Sequence, residues 1–258
     1  MDAPQTVIFC RMGRLDYLEG WALQQKIQQR LISNKRSDNP EIIPHVCLLV
    51  EHPPVFTLGK SGSEANLIAS PEELEAAGAS FVRIDRGGDI TYHGPGQIVG
   101  YPILDLGHFY TDIHRYLRDL EEVIIRTCLT FGIKTDRFEG KTGVWVTNPV
   151  GSERKICAMG IRCSRWVTMH GFALNGATEI EHFSMIVPCG IRDHGVTSME
   201  METVTKLDRA KVESEIAKNF SEVFQVEIKM LVEDDARRFL QAYLNSEAPL
   251  PDQPEKSH

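Results

Sequence analysis

The chain has 258 residues, of which 42% are hydrophobic and 25% are charged, a balance typical of a globular protein with a sizeable core. Its formal net charge of -8 argues against a nucleic-acid-binding protein, because such a protein normally carries a basic face. No apolar run approaches the roughly 20 residues that a membrane helix needs, and the run at residues 7–10 is too short for a secretory signal. We therefore expect a cytoplasmic protein, although a mature organellar protein would have the same composition.

The six cysteines contain no closely spaced pair of the CxxC type. In a chain of this size without a secretory signal, they are expected to be free thiols. They occupy positions 10, 47, 128, 157, 163 and 189.

The N-terminal third predicts a strand, a helix and a second strand. Residues 6–11 alternate as a strand does, and residues 16–32 carry apolar side chains at helical spacing. A polar loop over residues 34–44 leads to a continuous apolar strand at residues 45–51, which two prolines end. The helix is therefore expected to pack on a sheet.

A short helix is predicted after Ser70, because Ser70 and Glu73 have the spacing of a capping box and Pro71 suits the first turn. The helix should end near Gly78, and residues 80–85 then form a strand. This strand leads into the most distinctive segment of the chain.

Residues 86–105 combine turn-forming glycines with polar side chains and end in an apolar strand at residues 98–104. Gly87 and Gly88 can adopt positive φ and allow a ligand to approach the backbone closely. Such a loop between two strands commonly lines a pocket. The alternative is a β-hairpin whose glycines only form its turns.

The rest of the chain predicts an amphipathic helix over residues 112–131, closed by Gly132. Short strands and turns follow over residues 134–186, with turns at residues 139–140, 148–149 and 151–152. A helix at 208–224, a strand at 225–229 and a helix at 233–244 complete one domain, residues 1–245. The proline-rich and charged residues 246–258 are expected to be a disordered tail. Strands mixed with helices, without strict alternation, predict an α+β fold, a mixed sheet with helices packed outside.

Five segments resemble, in order, the lipoyl(octanoyl) transferase family, the lipoate and octanoate protein transferases. The segments are RGGDITYHGPGQ at residues 86–97, EHPPVFTLG at 51–59, KICAMGIR at 155–162, HGFALN at 170–175 and VPCG at 187–190. The resemblance implies the catalytic-domain fold shared by biotin and lipoate protein ligases.

The resemblance also implies a catalytic pair, Cys189 as nucleophile and Lys155 as base. Cys189 lies at a turn between Pro188 and Gly190, whereas most cysteines, such as Cys128 on its helix, are buried structural residues. A thiol is mostly protonated at neutral pH, so the nucleophile needs a base or a nearby cation. Without the family, Lys155 would be interpreted as an ordinary surface lysine.

The resemblance implies an acyl-binding slot with a polar mouth, and backbone amides near Gly160 or Gly171 as an oxyanion hole. His52, His93 and His170 receive no role as a base, and Tyr92 and Tyr101 are expected to shape the pocket. The implied substrate-binding residues are Arg86, Gly87, Gly88, Asp89, Ile90, Thr91, Tyr92, His93, Ala158, Met159, Gly160, Gly171, Phe172 and Ala173.

The implied reaction moves an octanoyl or lipoyl group from acyl carrier protein to a lysine of lipoyl domains or of glycine cleavage H protein, the first step of endogenous protein lipoylation. It needs no cofactor and no ATP, and a monomer without nucleic-acid or membrane partners is expected. Two departures from the family pattern, Gly176 and Val187, are expected to alter the pocket width.

Two other interpretations of the same residues are set aside. A zinc site at Cys157, Cys163 and His170 lacks a tight ligand pair, and the glycine-rich loop lacks the P-loop pattern. An ATP-dependent lipoate ligase and a non-catalytic acyl-binding protein are the two functional alternatives. Both implied protein partners are generally acidic, and a basic rim could dock them; solvated strand-edge charges are an equally good explanation of the same arginines. These arginines are Arg154, Arg162, Arg165 and Arg192.

Overall fold

The computed structural model describes residues 4–147, 153–187 and 195–245. The strands are β1 (Thr6–Arg14), β2 (His45–Glu51), β3 (Val55–Leu58), β4 (Ser80–Arg83), β5 (Ile90–His93), β6 (Gln97–Ile103), β7 (Thr135–Phe138), β8 (Lys141–Val146), β9 (Arg154–Ser164), β10 (Val167–Asn175), β11 (Gly195–Val196) and β12 (Glu227–Val232). The helices are α1 (Tyr17–Lys35), α2 (Pro71–Ala76), α3 (Ile113–Thr130), α4 (Met199–Thr203), α5 (Arg209–Phe224) and α6 (Glu233–Asn245).

The large sheet is mixed and, within the described residues, has the strand order β12-β1-β2-β6-β10-β9-β8-β7, with β11 added beside β9. The first strand, β1, lies between two parallel neighbours, β12 and β2. From β2 onward along this order the neighbours are antiparallel, while β11 runs parallel to β9. The predicted α+β fold with a mixed sheet is thereby confirmed.

Helices cover both faces of this sheet. Alternate residues of β1 show it, because Phe9 packs in the core under α3 and α5 while Ile8 packs in the core under α1 and α6. A strand buried on both faces is apolar throughout rather than alternating. This explains the continuous apolar run that the sequence has at residues 45–50.

A second, three-stranded sheet has the order β4-β3-β5. Its strand β5 and the large-sheet strand β6 are consecutive in the chain but pair with different neighbours, β3 and β2. The hairpin alternative for residues 86–105 is therefore wrong. The loop between these strands instead connects the two sheets.

The helix ends follow the capping chemistry of the sequence. Asp16 accepts hydrogen bonds from the backbone amides of Leu18 and Glu19, and Ser70 and Glu73 form the predicted reciprocal capping box. After α3, Gly132 takes a φ of +77°, as predicted for a residue that ends a helix.

Some elements differ from the prediction. Residues Ile180–Met185, expected to be strand-like, form a 3₁₀ helix, and α4 was not predicted. The predicted turns at residues 148–149 and 151–152 and the predicted tail at residues 246–258 lie outside the described residues. No helix in the described part of the chain combines the length and apolarity needed to cross a membrane.

The core under α3 gives a first test. Leu120 is fully buried between α3 and the sheet, whereas Leu129 of the same helix is 62% exposed. We expect Leu120→Ala to lower the free energy of unfolding by about 2–5 kcal/mol, because it removes apolar contacts and leaves a cavity. The matched change Leu129→Ala should alter it by less than about 0.5 kcal/mol. Urea denaturation measures both, and equal values would contradict this description of the core.

Candidate active site

A cavity of about 420 Å³ lies between the large sheet and the small sheet. Strands β9 and β10 and residues 86–91 contribute much of its wall. A volume in the range of about 300–1,000 Å³ is typical of small-ligand sites. All the substrate-binding residues implied by the sequence line this cavity except Tyr92. Tyr92 is fully buried and packs on Phe56 and on Phe183, which lines the cavity, so its role in the pocket stays a prediction.

Small residues leave room for the cavity. In the β9–β10 ladder Gly160 is paired with Gly171 and Ala158 with Ala173. A Cβ atom on Gly160 would lie 2.8 Å from the carbonyl oxygen of Gly87, so only glycine lets the loop approach β9 here.

The glycine-rich loop is fixed on the cavity wall by two anchors. The Gly87 amide donates to the carbonyl of Ile161 on β9 at 2.9 Å. The buried Arg86 guanidinium donates to the carbonyl and the hydroxyl of Thr57 at 2.7 and 2.9 Å. These bonds hold the start of the loop between the two sheets.

Two buried histidines near the cavity are neutral. His52 Nδ1 lies 2.7 Å from the carbonyl oxygen of Leu15, which can only accept, so Nδ1 carries the proton and Nε2 accepts from the Tyr101 hydroxyl at 2.7 Å. Burial lowers the pKa of His52 to about 4 and that of His93 to about 3. Neither ring can therefore supply a positive charge near neutral pH.

His93 belongs to a buried hydrogen-bond chain. The Thr57 hydroxyl, which accepts from Arg86, lies 3.4 Å from His93 Nε2, and His93 Nδ1 donates to Gln97 Oε1 at 2.8 Å. Gln97 Nε2 then donates to Asn175 Oδ1 at 2.9 Å. Such a satisfied network fixes side chains rather than freeing one for proton transfer.

His170 donates from Nε2 to Asp85 Oδ1 at 2.9 Å, and Arg162 forms an ion pair with the other oxygen of Asp85. Burial alone would raise the pKa of Asp85, but the bond from His170 and the charge of Arg162 outweigh it and lower this pKa. Burial lowers the pKa of His170 despite the opposing effect of Asp85. His170 is thus also mainly neutral and held in place.

Lys155 reaches the cavity from a bulge in β9. Val144 pairs with Cys157 whereas the next residue, Trp145, pairs with Lys155, so Ile156 is an extra residue on β9. The Lys155 ammonium lies 4.6 Å from the centre of the Trp145 ring, and both residues line the cavity. The interpretation of Lys155 as an ordinary surface lysine is therefore wrong.

The other predicted catalytic residue, Cys189, lies outside the described residues. The described cysteines are free thiols, as expected. Burial raises the pKa of each described thiol, so these cysteines favour the protonated form. Cys128 and Cys157 pack in the core under α3.

The structure agrees with the rejection of a zinc site, because Cys157 lies in the core while His170 bonds to Asp85. Among the residues that the structure describes, no group of three potential metal ligands comes together.

The basic rim is not formed by free arginines. Arg154 makes a two-pronged ion pair with Glu202, and Arg162 pairs with Asp85. Arg165 is exposed, and Arg192 lies outside the described residues. Two of the four charges are thus neutralised within the fold.

Of the two sequence departures, Gly176 lies away from the cavity lining. A Cβ atom there would lie 2.9 Å from the carbonyl oxygen of Gly96, so Gly176 allows two backbone segments to pack. Val187 donates its amide to the carbonyl of Asn66 at 2.8 Å. Neither residue is among those that line the cavity, so the expectation that they set its width is wrong.

Several lining residues were not predicted from the sequence, notably Tyr17, Leu117 and Trp145. Trp145 lies within an apolar strand and Tyr17 in the first turn of α1, positions that are more often core than site. Only the pairing of distant strands places them at the cavity.

The chain matches a known protein family. Residues 16–221 match the lipoyl protein ligase A/B catalytic domain. The chain is 51% identical over 222 residues to an octanoyltransferase of Flavobacterium johnsoniae, an alignment that covers 84% of this chain and 96% of the relative. The chain therefore belongs to the lipoyl protein ligase A/B catalytic domain family. It is an acyltransferase of the lipoyl(octanoyl) transferase type, as the sequence motifs implied.

Solved structures agree on the fold. A lipoate-protein ligase A bound with ATP superposes with a TM-score of 0.64 at 13% identity, covering 95% of this chain and 96% of the ligase. A bipartite lipoate protein ligase from Thermoplasma acidophilum, described with its E2 lipoyl domain, gives 0.61 at 15% identity, covering 93% of each chain. The expected ligase-like catalytic fold is confirmed.

The neutral His93 makes stability depend on pH. The ordinary histidine pKa is 6.5 and the pKa in the folded protein is about 3, so below pH 6.5 the unfolded chain binds a proton that the folded chain does not. The free energy of unfolding should therefore fall as the pH drops from 6.5 towards 3, with His93 contributing at most about 1.4 kcal/mol per pH unit. In His93→Gln this dependence should be shallower, as measured by urea denaturation at several pH values. An unchanged slope would mean that His93 is protonated in the folded protein.

Proposed function

We propose that this chain transfers an octanoyl group from acyl carrier protein to a lysine ε-amine of a lipoyl domain, through a thioester on Cys189 with Lys155 as the base. The observation that carries the proposal is the cavity, which extends along β9 from Ala158 and Gly160 to Lys155. An apolar slot with the Lys155 amine in its wall suits an acyl chain whose reacting carbonyl must meet a proton acceptor.

The slot has room for a linear chain. The strand residues from Lys155 to Gly160 span roughly 15 Å at the usual rise of a β-strand. Ala158, Ala173 and Val99 supply apolar wall, and His93, which also lines the cavity, is uncharged. A fatty acyl chain buried there meets no unpaired histidine charge.

In the first half-reaction, Lys155 removes the thiol proton of Cys189 and the thiolate attacks the carbonyl carbon of the octanoyl thioester. The C–S bond to the carrier breaks, and Lys155 returns the proton to the departing thiolate. One thioester replaces another, so this step is nearly balanced in free energy. The octanoyl group is now on Cys189.

In the second half-reaction, the neutral ε-amine of the acceptor lysine attacks the same carbonyl carbon. The Cys189 thiolate leaves, and Lys155 accepts the proton that the new amide nitrogen loses and passes it to the thiolate. An amide is more stable than a thioester, so the step is downhill without ATP. Lipoyl domains and glycine cleavage H protein are the proposed acceptors.

Incubation with octanoyl carrier protein and a lipoyl domain, without ATP, tests the proposal. We expect Cys189→Ser to abolish transfer and Lys155→Met to lower kcat by about 10²–10⁴-fold, the usual contribution of a positioned base. Mass spectrometry of the intact protein should find one octanoyl group on Cys189 when the acceptor is omitted. Cys163→Ser, which removes a half-buried thiol of β9, is the control and should transfer normally.

Three results would contradict this. Transfer that requires ATP would indicate the ligase reaction. Acyl binding without a covalent adduct would indicate a non-catalytic binding protein. Undiminished transfer by Cys189→Ser would falsify the assignment of the nucleophile.

The slot itself gives another test. Ala158 and Ala173 are paired across β9 and β10 and both line the cavity. Ala158→Leu should lower kcat/KM for an octanoyl thioester by about ten- to two-hundred-fold, because it fills space that the chain needs. A butyryl thioester should be affected less, and both are measured by release of the thiol. An equal loss for both substrates would place the chain elsewhere.

A further inference from the structure

The Lys155 side chain lies on the opposite face of the sheet from the one that regular strand alternation predicts. Cys157, two residues later, belongs to the core under α3. In a strand, residues two apart point to the same face, so strict alternation would also turn Lys155 towards α3. The extra residue Ile156 reverses this and places Lys155 on the cavity side, beside Trp145.

This irregularity is centred on Gly143 of the neighbouring strand. The β7–β8 pairing shifts register between the partners Trp145 and Lys141, and the β8–β9 pairing shifts beside Val144. Gly143 has a φ of +111°, and a Cβ atom there would lie 2.5 Å from the carbonyl oxygen of Cys157. Gly143 thus lies tightly against the bulged residues of β9.

The amide of Gly143 bonds to a helix rather than to a strand. It donates to Glu121 Oε1 of α3 at 2.9 Å, and the Glu121 side chain is fully buried. A buried amide without a hydrogen-bond partner is costly, so this carboxylate stabilises the irregular conformation of β8. The contact could not be predicted from the sequence, since the two residues are 22 positions apart.

Two arginines hold the carboxylate in turn. Arg118 approaches Glu121 Oε1 at 2.9 Å from the same helix, and Arg137 approaches Oε2 at 3.2 Å from β7. Burial raises the pKa of Glu121, and the Gly143 amide and both arginines oppose this effect. Glu121 thereby links α3 to both strands beside the bulge.

We propose that Glu121 is a positioning residue for Lys155: by accepting the Gly143 amide, it holds β8 in the conformation that fits the β9 bulge and turns Lys155 into the cavity. This inference rests on the proposed role of Lys155 as the base. Glu121 itself touches no substrate.

Two conservative variants of Glu121 distinguish the effect of its side-chain length from the effect of its charge. Glu121→Gln keeps an oxygen at the right distance from the Gly143 amide but loses the charge that faces Arg118 and Arg137. Glu121→Asp keeps the charge but is one methylene shorter and does not reach the amide. Glu122→Asp is the matched control, since Glu122 also pairs with Arg137 but does not contact Gly143.

We expect Glu121→Asp to lower kcat by about 10²-fold, because small displacements of a catalytic group have such effects, with KM for an octanoyl thioester unchanged. Glu121→Gln and Glu122→Asp should retain most of the activity. Equal loss in the Asp and Gln variants, greater loss in Gln, or full activity in both would overturn the proposal.

A second measurement does not depend on catalysis. Reductive methylation of the folded protein, followed by peptide mass spectrometry, gives the labelling rate of Lys155 relative to the other lysines. This rate should change in Glu121→Asp and match that of the unaltered protein in Glu121→Gln. An unchanged rate in Glu121→Asp would overturn the proposal. If Lys155→Met transferred normally, the role of Lys155 as a base would fall, while the labelling rates would still decide whether Glu121 positions it.

Discussion

The site depends on the close backbone packing that the small residues of β9 and β10 permit against the segments beside these strands. Gly160 and Gly171 face each other in this ladder, and each lies against another piece of backbone, Gly87 and Gly100 respectively. A side chain at either glycine would push these segments apart. The same smallness at Ala158 and Ala173 leaves the space between the sheets that a linear chain can fill. The small residues of β9 and β10 thus account both for the close backbone packing and for the space open to substrate.

The two buried histidines near the cavity, His52 and His93, carry no charge. Burial would make an ionised imidazole costly, and His52 and His93 avoid this cost by staying neutral and using both ring nitrogens in hydrogen bonds. The Arg86 guanidinium is bonded to Thr57 in the same region. The result is a rigid wall that combines polar atoms with aromatic surface, next to which the apolar strand residues remain available to ligand.

Local chemistry in the sequence predicted much of this fold. The caps at Asp16 and Ser70, and the glycine after α3, predicted helix ends because they act through contacts a few residues apart. The glycine-rich loop predicted a pocket for a similar reason, since its backbone freedom comes from its own glycines. The family motifs added the function and the fold.

What could not be predicted depends on pairing between distant segments. The β9 bulge at Ile156 breaks the alternation on which strand interpretation rests, so the direction of Lys155 is not visible in the sequence. Glu121 has the appearance of an ordinary charged helix residue until β8 is placed beside α3. The packing of Tyr92 on Phe56 was likewise not predictable, because it follows from the pairing of β5 with β3 in the small sheet.

The position of β1 has a consequence for how the chain is made. Its two parallel neighbours, β2 and β12, are synthesised at very different times, because Val7 pairs with His45 whereas Thr6 pairs with Glu227. On the ribosome, one edge of β1 therefore stays unpaired until the residues of β12 have been synthesised. An apolar strand edge exposed for that long is a site where nascent chains can associate wrongly, and such long-range closure is slow. Correct assembly of this enzyme thus requires that β1 keeps one edge unpaired until β12 can pair with it.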